Sequence, residues 1–440
     1  VLGEGAAKRS KGSRASRGLK PGGVELHKIS LWQKMDSLIQ AQAATPNQPE
    51  PPPVSSVTCQ CSNSAKVVGG ARWACSPRNA KRKPPKPLGT KQPPGIFREW
   101  LVKNGTFGLG YSHMPMLVQL PNRSIAAAFQ GSSTMEGGLD QHVRVAVSTD
   151  KHGMKWGRPI EVPTFRDGAQ WGPVLHYDDS TGWLWLFYSE SKTCLRPASG
   201  SAPQRWYPGG DIWATILPNV EGDWEKGWTT PRLLYSEAGD GGIPKVLANS
   251  LTVLKTGEWM LPFWREKHNL PGVCETAQNS SAGVLISEDG GASWQSYGRL
   301  MAPGTWLIEG SLVELRDESL LMLFRTTKGV LYQSRSTDRG RTWSMATPTF
   351  LSNPGSKMNM IALKGEGVLA AYNAHKRIKG TYMRTRTQLD LAVTINGGDS
   401  WGMVARLETP WERGLMFHYP AVVQLAPCKV LVAYTISYDF

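Results

Sequence analysis

Residues 308–343 read IEGSLVELRDESLLMLFRTTKGVLYQSRSTDRGRTW, and this stretch decides the fold. It contains three short runs rich in Leu, Val, Phe and Tyr, at 310–315, 319–324 and 330–336. Charged or glycine-containing turns separate these runs. Short apolar or alternating runs between such breakers are typical of an antiparallel meander, so the stretch predicts three consecutive strands.

The meander ends in a turn that closes on itself, Ser336-Thr-Asp338-Arg-Gly340-Arg-Thr342-Trp343. An Asp side chain can accept hydrogen bonds from backbone N–H groups of its own turn. A Gly can adopt a positive φ without steric cost. Together with the closing Trp, these residues predict a self-contained turn, which we call the clasp.

The clasp recurs along the chain, and each copy has an Asp or Asn two residues after a Ser or Thr. The copies are Ser287 to Trp294 with Asp289, Thr394 to Trp401 with Asn396, and Ser148 to Trp156 with Asp150 and one extra residue. Trp228 occupies the place of a closing Trp in a further repeat, in which the other turn residues of the clasp are not retained. Successive closing Trp residues are 49 to 72 residues apart, which is the length of one four-stranded blade plus its loops.

These repeats predict an all-β fold, a six-bladed β-propeller over residues 104–440. Five Trp-closed repeats account for five blades. The last strand set, residues 420–438, together with the segment before the first repeat, is expected to form the sixth blade and close the ring. The length favours one domain, because a propeller adds blades rather than thickening a single core.

The N-terminal segment has a different composition. Residues 1–100 hold 17 Lys and Arg against 5 Asp and Glu, a net charge of +12 out of +15 for the whole chain. Because so charged and Pro-rich a segment cannot bury a core, residues 1–95 are predicted to be disordered, with a short marginal helix at 29–44. Its basic runs lack aromatic interleaving, so a solvated or targeting tail is favoured and no nucleic acid is expected.

Targeting and cysteine usage give weak constraints on the compartment. The segment has no apolar run long enough for a secretory signal or a membrane span, while its basic, acid-poor composition is compatible with a transit peptide. Three cysteines in the body, Cys194, Cys274 and Cys428, lack the even, paired spacing of a secreted disulfide framework. We therefore expect a soluble monomer, organelle-targeted or cytoplasmic rather than secreted, with no metal or cofactor.

The clasps resemble the Asp-boxes, or BNR repeats, of sialidases, and residues 108–438 resemble one sialidase-type propeller. The resemblance implies that the box residues are structural and lie on the side of the propeller opposite the active site. These residues are Asp150, Asp289, Asp338, Asn396, Trp156, Trp294, Trp343 and Trp401. Asp-box propellers include non-catalytic receptors and assembly factors, so any catalytic argument depends on other residues.

Hydrolysis of a sialoside imposes specific chemical demands. The substrate carries a carboxylate on its anomeric carbon, which planar guanidinium groups hold with bidentate hydrogen bonds. That charge would repel a carboxylate nucleophile, and sialidases use a Tyr instead. Because a phenol is a poor nucleophile near neutral pH, a Glu must take or share its proton, and a separate acid must protonate the leaving oxygen.

The sequence offers these residue types in the order that the resemblance implies. Glu309 precedes a strand pair that ends at Arg325, and Arg386 precedes the clasp at Asn396. Tyr419 follows that clasp by one hairpin. The resemblance implies that Tyr419 is the nucleophile, Glu309 its base, and Arg325 and Arg386 the anion clamp.

Two parts of the pattern differ. Sialidases carry a first triad arginine on the first strand, whereas the matching segment here is Tyr111-Ser-His113-Met-Pro, with His113 in that place. A neutral imidazole holds a carboxylate more weakly than a guanidinium does. Lys357 is a candidate for the missing positive charge. The acid is expected to be Glu136, or Asp140 as the alternative, and a His with this Glu-Gly pattern resembles an uncharacterised sialidase-like branch.

The sequence therefore predicts a sialidase-like exo-glycosidase that acts on terminal sialic acid or a related acidic sugar of a glycoconjugate. One alternative is a non-catalytic Asp-box propeller that binds glycans or proteins. Another is a hydrolase or lyase for a different acidic polysaccharide, which would fit retained arginines with His113 as an altered specificity element. The sequence contains no Gly-rich phosphate loop, zinc constellation or Ser-His-Asp motif.

Overall fold

The computed structural model describes residues 23–30, 97–165, 167–364, 367–375, 386–409, 414–427 and 429–438. Regular structure in these ranges consists of strands and one 3₁₀ helix, Ala238–Asp240. Two strands, β1 (Gly23–Ser30) and β2 (Phe97–Lys103), precede the first repeat. Six sheets of four or five strands follow one another as the blades of a propeller.

The first three blades run from Tyr111 to Leu300. Blade 1 contains β3 (Tyr111–Gln119), β4 (Ile125–Ser132), β5 (His142–Val147) and β6 (Ile160–Glu161). Blade 2 contains β7 (Gln170–Asp178), β8 (Trp183–Glu190), β11 (Asp211–Leu217) and β12 (Arg232–Tyr235), and the small hairpin β9 (Leu195–Arg196) and β10 (Arg205–Trp206) projects from it. Blade 3 contains β13 (Lys245–Leu247), β14 (Thr252–Val253), β15 (Trp259–Arg265), β18 (Ser281–Ser287) and β19 (Gln295–Leu300), with the hairpin β16 (Asn269–Leu270) and β17 (Cys274–Glu275).

The remaining blades complete the ring. Blade 4 contains β20 (Ile308–Glu314), β21 (Leu320–Arg325), β22 (Val330–Ser336) and β23 (Thr347–Ser352). Blade 5 contains β24 (Asn359–Ala362), β25 (Val368–Tyr372), β26 (Leu389–Thr394) and β27 (Gly402–Glu408). Blade 6 joins β28 (Leu415–Ala426) and β29 (Lys429–Tyr438) to the two N-terminal strands, in the order β28, β29, β1, β2.

Hydrophobic cores lie between successive blades, because each sheet is covered on both faces. In β21 the side chains of Leu320, Met322 and Phe324 pack against blade 3, while Leu321 and Leu323 pack against blade 5. Successive side chains of a strand point to opposite faces, so a sheet buried on both sides reads as a continuous apolar run. This explains the continuous apolar run LLMLF at residues 320–324.

Three of the four clasps share one hydrogen-bonding pattern at the Asp or Asn side chain, and the clasp at Asp150 differs because Ser148 donates to the Asp150 backbone carbonyl. Ser336 and Thr342 donate to the Asp338 carboxylate, Ser287 and Ser293 donate to Asp289 in the same way, and Asn396 accepts from Thr394 and Ser400. Asp150 accepts from the backbone N–H of Met154. Trp156, Trp294 and Trp343 each donate their indole N–H to the carbonyl of the clasp glycine. Hydrogen bonds from Ser293 and Ser287 lower the pKa of Asp289 to about 2, which keeps its carboxylate charged.

The N-terminal boundary of the propeller requires a correction. Residues 23–30 lie inside the segment predicted to be disordered, yet they form β1, which pairs with β29 from Gly23 to Ser30. Val24 and Leu26 of β1 are fully buried. Val24 and Leu26 alternate with Glu25 and His27, but so short a strand pattern is obscured by the charged residues around it. The rest of residues 1–96, including the predicted helix beyond residue 30, lies outside the described residues.

The cysteine interpretation also changes. Cys194 and Cys274 form a disulfide across 80 residues, with their Cα atoms 5.4 Å apart. They lie beside the two small hairpins, so no local spacing could reveal the pair. Cys428 lies outside the described residues. No helix in the described part of the chain has the length and apolar character to cross a membrane.

Candidate active site

The inner strands of four blades each bend at one residue with a positive φ. These residues are Met114 (φ 54°), Gly172 (φ 55°), Glu309 (φ 52°) and Tyr419 (φ 58°). Each lies at a break in the register of its strand pair, which is a β-bulge. Each is followed by Pro or Gly. Non-glycine residues in this conformation cost on the order of 1–3 kcal/mol, and such strain is concentrated at functional sites.

A cavity of about 460 Å³ opens at this end of the propeller. Side chains from β3, β20, β21 and β28 line it. The clasps lie at the opposite ends of their blades: β21 ends at Arg325 in the cavity wall, and the antiparallel β22 runs from there to the clasp at Ser336. The cavity and the clasps are thus separated by roughly 20 Å, the length of a six-residue strand.

Tyr419, Glu309 and Arg325 form one hydrogen-bonded cluster in the cavity wall, and all three are buried. The Tyr419 hydroxyl donates to Glu309 Oε1 at 2.8 Å. Arg325 Nη1 donates to the same carboxylate oxygen at 2.9 Å and to the Tyr419 hydroxyl oxygen at 2.8 Å. The structure therefore brings together three residues that are up to 110 positions apart in the sequence.

The cluster keeps Tyr419 protonated in the resting state. Burial raises the pKa of Tyr419 well above that of an ordinary phenol, although Arg325 opposes the shift. A phenol with a raised pKa can act as a nucleophile only if a base removes its proton as the new bond forms. Glu309 is already placed to accept that proton.

Arg386 provides a second guanidinium in the cavity wall. It is buried, its carbon Cζ lies 5.4 Å from the centre of the Tyr419 ring, and its Nη2 donates to the Gly355 carbonyl at 2.9 Å. A cation over an aromatic face is an attractive contact. Arg325 and Arg386 thus approach Tyr419 from two directions, which suits them to hold an anionic group next to the phenol.

Lys357 is close to this cluster but is not part of the cavity wall. It is fully buried, and its Nζ donates to the Pro420 carbonyl at 2.7 Å, directly behind Tyr419. Burial lowers the pKa of Lys357 to about 7, although Glu309 opposes the shift. The contact supports the bulge at Tyr419 and Pro420. This position behind the cavity wall does not support the expected role of Lys357 in holding substrate.

The His113 ring packs against the ring of Tyr419, the candidate nucleophile. The ring centres of His113 and Tyr419 are 4.1 Å apart, and His113 Nδ1 is hydrogen-bonded to Thr435 Oγ1 at 2.9 Å. Burial lowers the pKa of His113 well below its usual value, and the charges of Arg386, Lys357 and Arg325 lower it further. The imidazole is therefore neutral at physiological pH and offers a hydrogen-bonding group rather than a positive charge.

The two acid candidates lie in different places. Glu136 lines the cavity and is solvent-exposed there; the cavity walls still raise its pKa by desolvation, although a hydrogen bond with Tyr111 and the charge of Arg386 oppose this. Asp140 is exposed outside the cavity wall, and its carboxylate accepts the backbone N–H of Ser133 at 2.7 Å. Although partial burial opposes it, hydrogen bonding by Ser133 lowers the pKa of Asp140. Of these two candidates, Glu136 is the one that lines the cavity.

Two cavity residues were not assigned from the sequence. Glu266 accepts a hydrogen bond from the indole N–H of Trp264, and burial raises the pKa of Glu266 to about 7. His418 stacks near His113, with ring centres 5.1 Å apart. The sequence did hold a signal for His418, since His418-Tyr-Pro in blade 6 repeats the His113-Met-Pro pattern of blade 1.

Comparisons with known proteins address the fold. A family model described as a BNR repeat-like domain matches residues 123–432. No curated protein gives a significant match.

Similar solved structures include a protein of unknown function from Dyadobacter fermentans, at 15% identity and a TM-score of 0.56, covering 75% of this chain and 95% of that one. A Hadza microbial sialidase is 14% identical, with a TM-score of 0.58 and coverage of 80% and 71%. A Trypanosoma rangeli sialidase in complex with sialic acid is 13% identical, with a TM-score of 0.53, and the matched region is 78% of this chain and 56% of that one. The architecture is therefore that of the sialidase propeller.

Proposed function

This chain belongs to the BNR repeat-like domain family, and from that premise we propose that it is a retaining glycoside hydrolase that removes a terminal acidic sugar. The observation that carries the proposal is the cluster of Tyr419, Glu309 and Arg325 in the cavity wall. A phenol hydrogen-bonded to a carboxylate beside a guanidinium meets the chemical demands of an anionic glycoside. The sialic acid bound in the Trypanosoma rangeli complex is an acidic sugar of this chemical class.

The proposed reaction has two steps. Arg325 and Arg386 hold the substrate carboxylate, and the Tyr419 oxygen attacks the anomeric carbon while Glu309 takes the phenolic proton. Glu136 gives a proton to the leaving oxygen as the glycosidic bond breaks. In the second step Glu136 takes a proton from water, which displaces the phenol, and the phenol recovers its proton from Glu309.

Neutral His113 favours a second candidate within the same chemistry, a hydrolase or lyase for a different acidic sugar. Two guanidiniums hold a carboxylate less strongly than three, and the buried imidazole adds a hydrogen-bonding group near Tyr419. A substrate with a hydroxyl in that direction would use both features. The non-catalytic glycan-binding propeller stays as the outcome if no acidic glycoside is turned over.

The test is turnover of a fluorogenic sialoside by the full chain, beside its Tyr419→Phe and His113→Arg variants. Turnover by the parent that is lost in Tyr419→Phe supports the sialidase hypothesis. If only His113→Arg gains turnover, the natural substrate is another acidic sugar, and a panel of uronic and ulosonic acid glycosides should identify it. If none of the three proteins turns over the sialoside or any glycoside of that panel, the enzyme proposal is overturned.

A further inference from the structure

A cluster of two cysteines and one histidine lies outside the catalytic cluster. Cys194 directly precedes β9, His268 directly precedes β16, and Cys274 is the first residue of β17. A sulfur from each cysteine and a ring nitrogen of the histidine all lie within 4.8 Å of one another. Cys194 is 1% exposed and His268 is 4% exposed. Two thiol sulfurs and an imidazole are the ligand types that zinc prefers in proteins.

The histidine ring is held as a metal ligand would be. Nε2 of His268 lies 2.9 Å from the Pro208 carbonyl oxygen, which can only accept, so Nε2 carries the proton. Nδ1 then has a free lone pair, and it is buried without a hydrogen-bond partner. A hydrogen bond from one ring nitrogen to a backbone carbonyl is the usual way of orienting the other nitrogen toward a metal.

The disulfide state does not satisfy this nitrogen, since neither sulfur of a disulfide carries a proton. We infer that the reduced form of the protein binds one zinc ion through Cys194, His268 and Cys274, leaving a fourth position for water. A dithiol reductant would supply two electrons and two protons, giving two thiols and the oxidised reductant. Zinc binding would then release two protons as both sulfurs become thiolates.

The distances are compatible with this assignment. Donor atoms around a tetrahedral zinc ion with two sulfurs and a nitrogen lie roughly 3.4–3.8 Å apart, given the usual bond lengths. The histidine nitrogen lies within 4.8 Å of both sulfurs, about 1 Å beyond that range at most. The two sulfurs, which are bonded to each other in the disulfide, must separate by roughly 2 Å after reduction. Cys194 directly precedes the hairpin of β9 and β10, and Cys274 begins β17 in the hairpin of β16 and β17. Both hairpins lie outside the blade sheets, so closing the set does not require any blade to move.

The site would also fix one wall of the cavity. The Cys194 carbonyl accepts the backbone N–H of Tyr207, and the N–H of Trp206 donates to the Gly137 carbonyl, next to Glu136. Pro208, which holds His268, lines the cavity. Either the disulfide or a bound metal would therefore hold the same segment, and the redox state would decide which.

The test uses the full chain with Cys59, Cys61, Cys75 and Cys428 replaced by Ser, so that only the pair remains. The protein is reduced, freed of reductant under nitrogen, and analysed for zinc after dialysis against zinc alone. We expect one zinc ion per chain in the reduced protein and none in the oxidised one. Cobalt should replace zinc and give sulfur-to-cobalt charge-transfer absorption.

Two variants separate a site from adventitious thiol binding. His268→Gln removes a ligand, so it should weaken zinc binding by at least the roughly tenfold that loss of a ligand's hydrogen-bonding partner costs, whereas His152→Gln, on the surface, should not change it. Cys194→Ser should remove the charge-transfer absorption. Reduced protein without stoichiometric zinc, equal zinc in the oxidised protein, or unchanged affinity in His268→Gln would each overturn the proposal.

Discussion

The phenolic oxygen of Tyr419 lies 2.8 Å from Glu309 Oε1, although 110 residues separate the two in the sequence. Both residues lie at the bulge of an inner strand, Glu309 in blade 4 and Tyr419 in blade 6. The bulge turns each side chain out of the alternating pattern of its strand and toward the cavity. Repetition of one local distortion in different blades thus assembles the catalytic cluster that we propose.

Tyr419→Phe should reduce turnover of any substrate of this enzyme by at least about a thousandfold, because it removes the nucleophile while keeping the ring. The ring contacts with His113 and Arg386 remain in this variant, so the fold and binding of the anionic group should persist. Steady-state kinetics and a thermal melt measure both effects. Tyr188→Phe is the matched control, since that buried hydroxyl has no hydrogen-bond partner. Equal losses in the two variants would contradict the assignment.

Glu136→Gln should lower turnover by about a hundredfold or more on a substrate with an alkyl leaving group. The loss should be much smaller on an aryl substrate, because a phenolate leaves without help from an acid. In the parent protein, activity should fall as pH rises through the raised pKa of Glu136, because the acid must be protonated to donate its proton. Asp140→Asn, outside the cavity, should leave the turnover of the alkyl substrate, the turnover of the aryl substrate and the pH dependence of activity unchanged. A leaving-group effect in Asp140→Asn instead would reverse the assignment of the acid.

Gly172→Ala should destabilise the fold by roughly 2–4 kcal/mol. A Cβ at this bulge would lie 1.6 Å from the Leu247 carbonyl oxygen, in a residue whose φ is 55°. Gly257→Ala introduces a Cβ at another positive φ but with nothing within 4 Å, so it should cost only about 1–2 kcal/mol. Urea unfolding of both variants gives the comparison. Similar losses would mean that backbone strain alone, and not the contact between blades 2 and 3, limits this position.

Local patterns made much of this structure predictable. The clasp is complete within eight or nine residues, so its copies and the spacing of Trp156, Trp294, Trp343 and Trp401 indicate the blades directly. Contacts between distant segments carry no such signal. The disulfide between Cys194 and Cys274 joins the small hairpins of blades 2 and 3, and Glu266 enters the cavity from the end of β15 in blade 3. Sequence order singled out Glu309 and Tyr419, which the structure brings into hydrogen-bond contact, but not the position of Lys357 behind the cavity wall.

Deletion of residues 1–30 should strongly destabilise the propeller, whereas deletion of residues 1–22 should not. The longer deletion removes β1, which lies between β29 and β2 in blade 6 and buries Val24 and Leu26 in the core between blades 6 and 1. Without it, β29 becomes an exposed edge and β2 loses its partner. Soluble yield and the melting temperature of the two truncations measure the effect. Equal stability would show that β1 is dispensable for ring closure.

Glu25 of β1 should make the closure of the ring sensitive to pH. Its Oε2 lies 2.7 Å from the Tyr434 hydroxyl oxygen, which also lies 2.6 Å from His27 Nε2 and 2.6 Å from Glu408 Oε1. A hydroxyl has one proton to give, so at least two of these three neighbours must donate to it. A protonated Glu25 meets that need, and burial raises the pKa of Glu25 from 4.5 to about 7.

Because the folded-state pKa of Glu25 is the higher one, the protonated carboxyl stabilises the fold fully below pH 4.5, and that stabilisation is lost as pH rises through about 7. Glu25→Gln stays neutral at every pH. The free energy of unfolding of this variant, relative to the parent, should therefore rise by on the order of 3 kcal/mol between about pH 5 and pH 8. Urea titrations across that range measure the difference, with Glu225→Gln on the surface as control. A difference that does not change with pH would mean that Glu25 is charged in the folded protein and that the Tyr434 hydroxyl takes its protons from other neighbours.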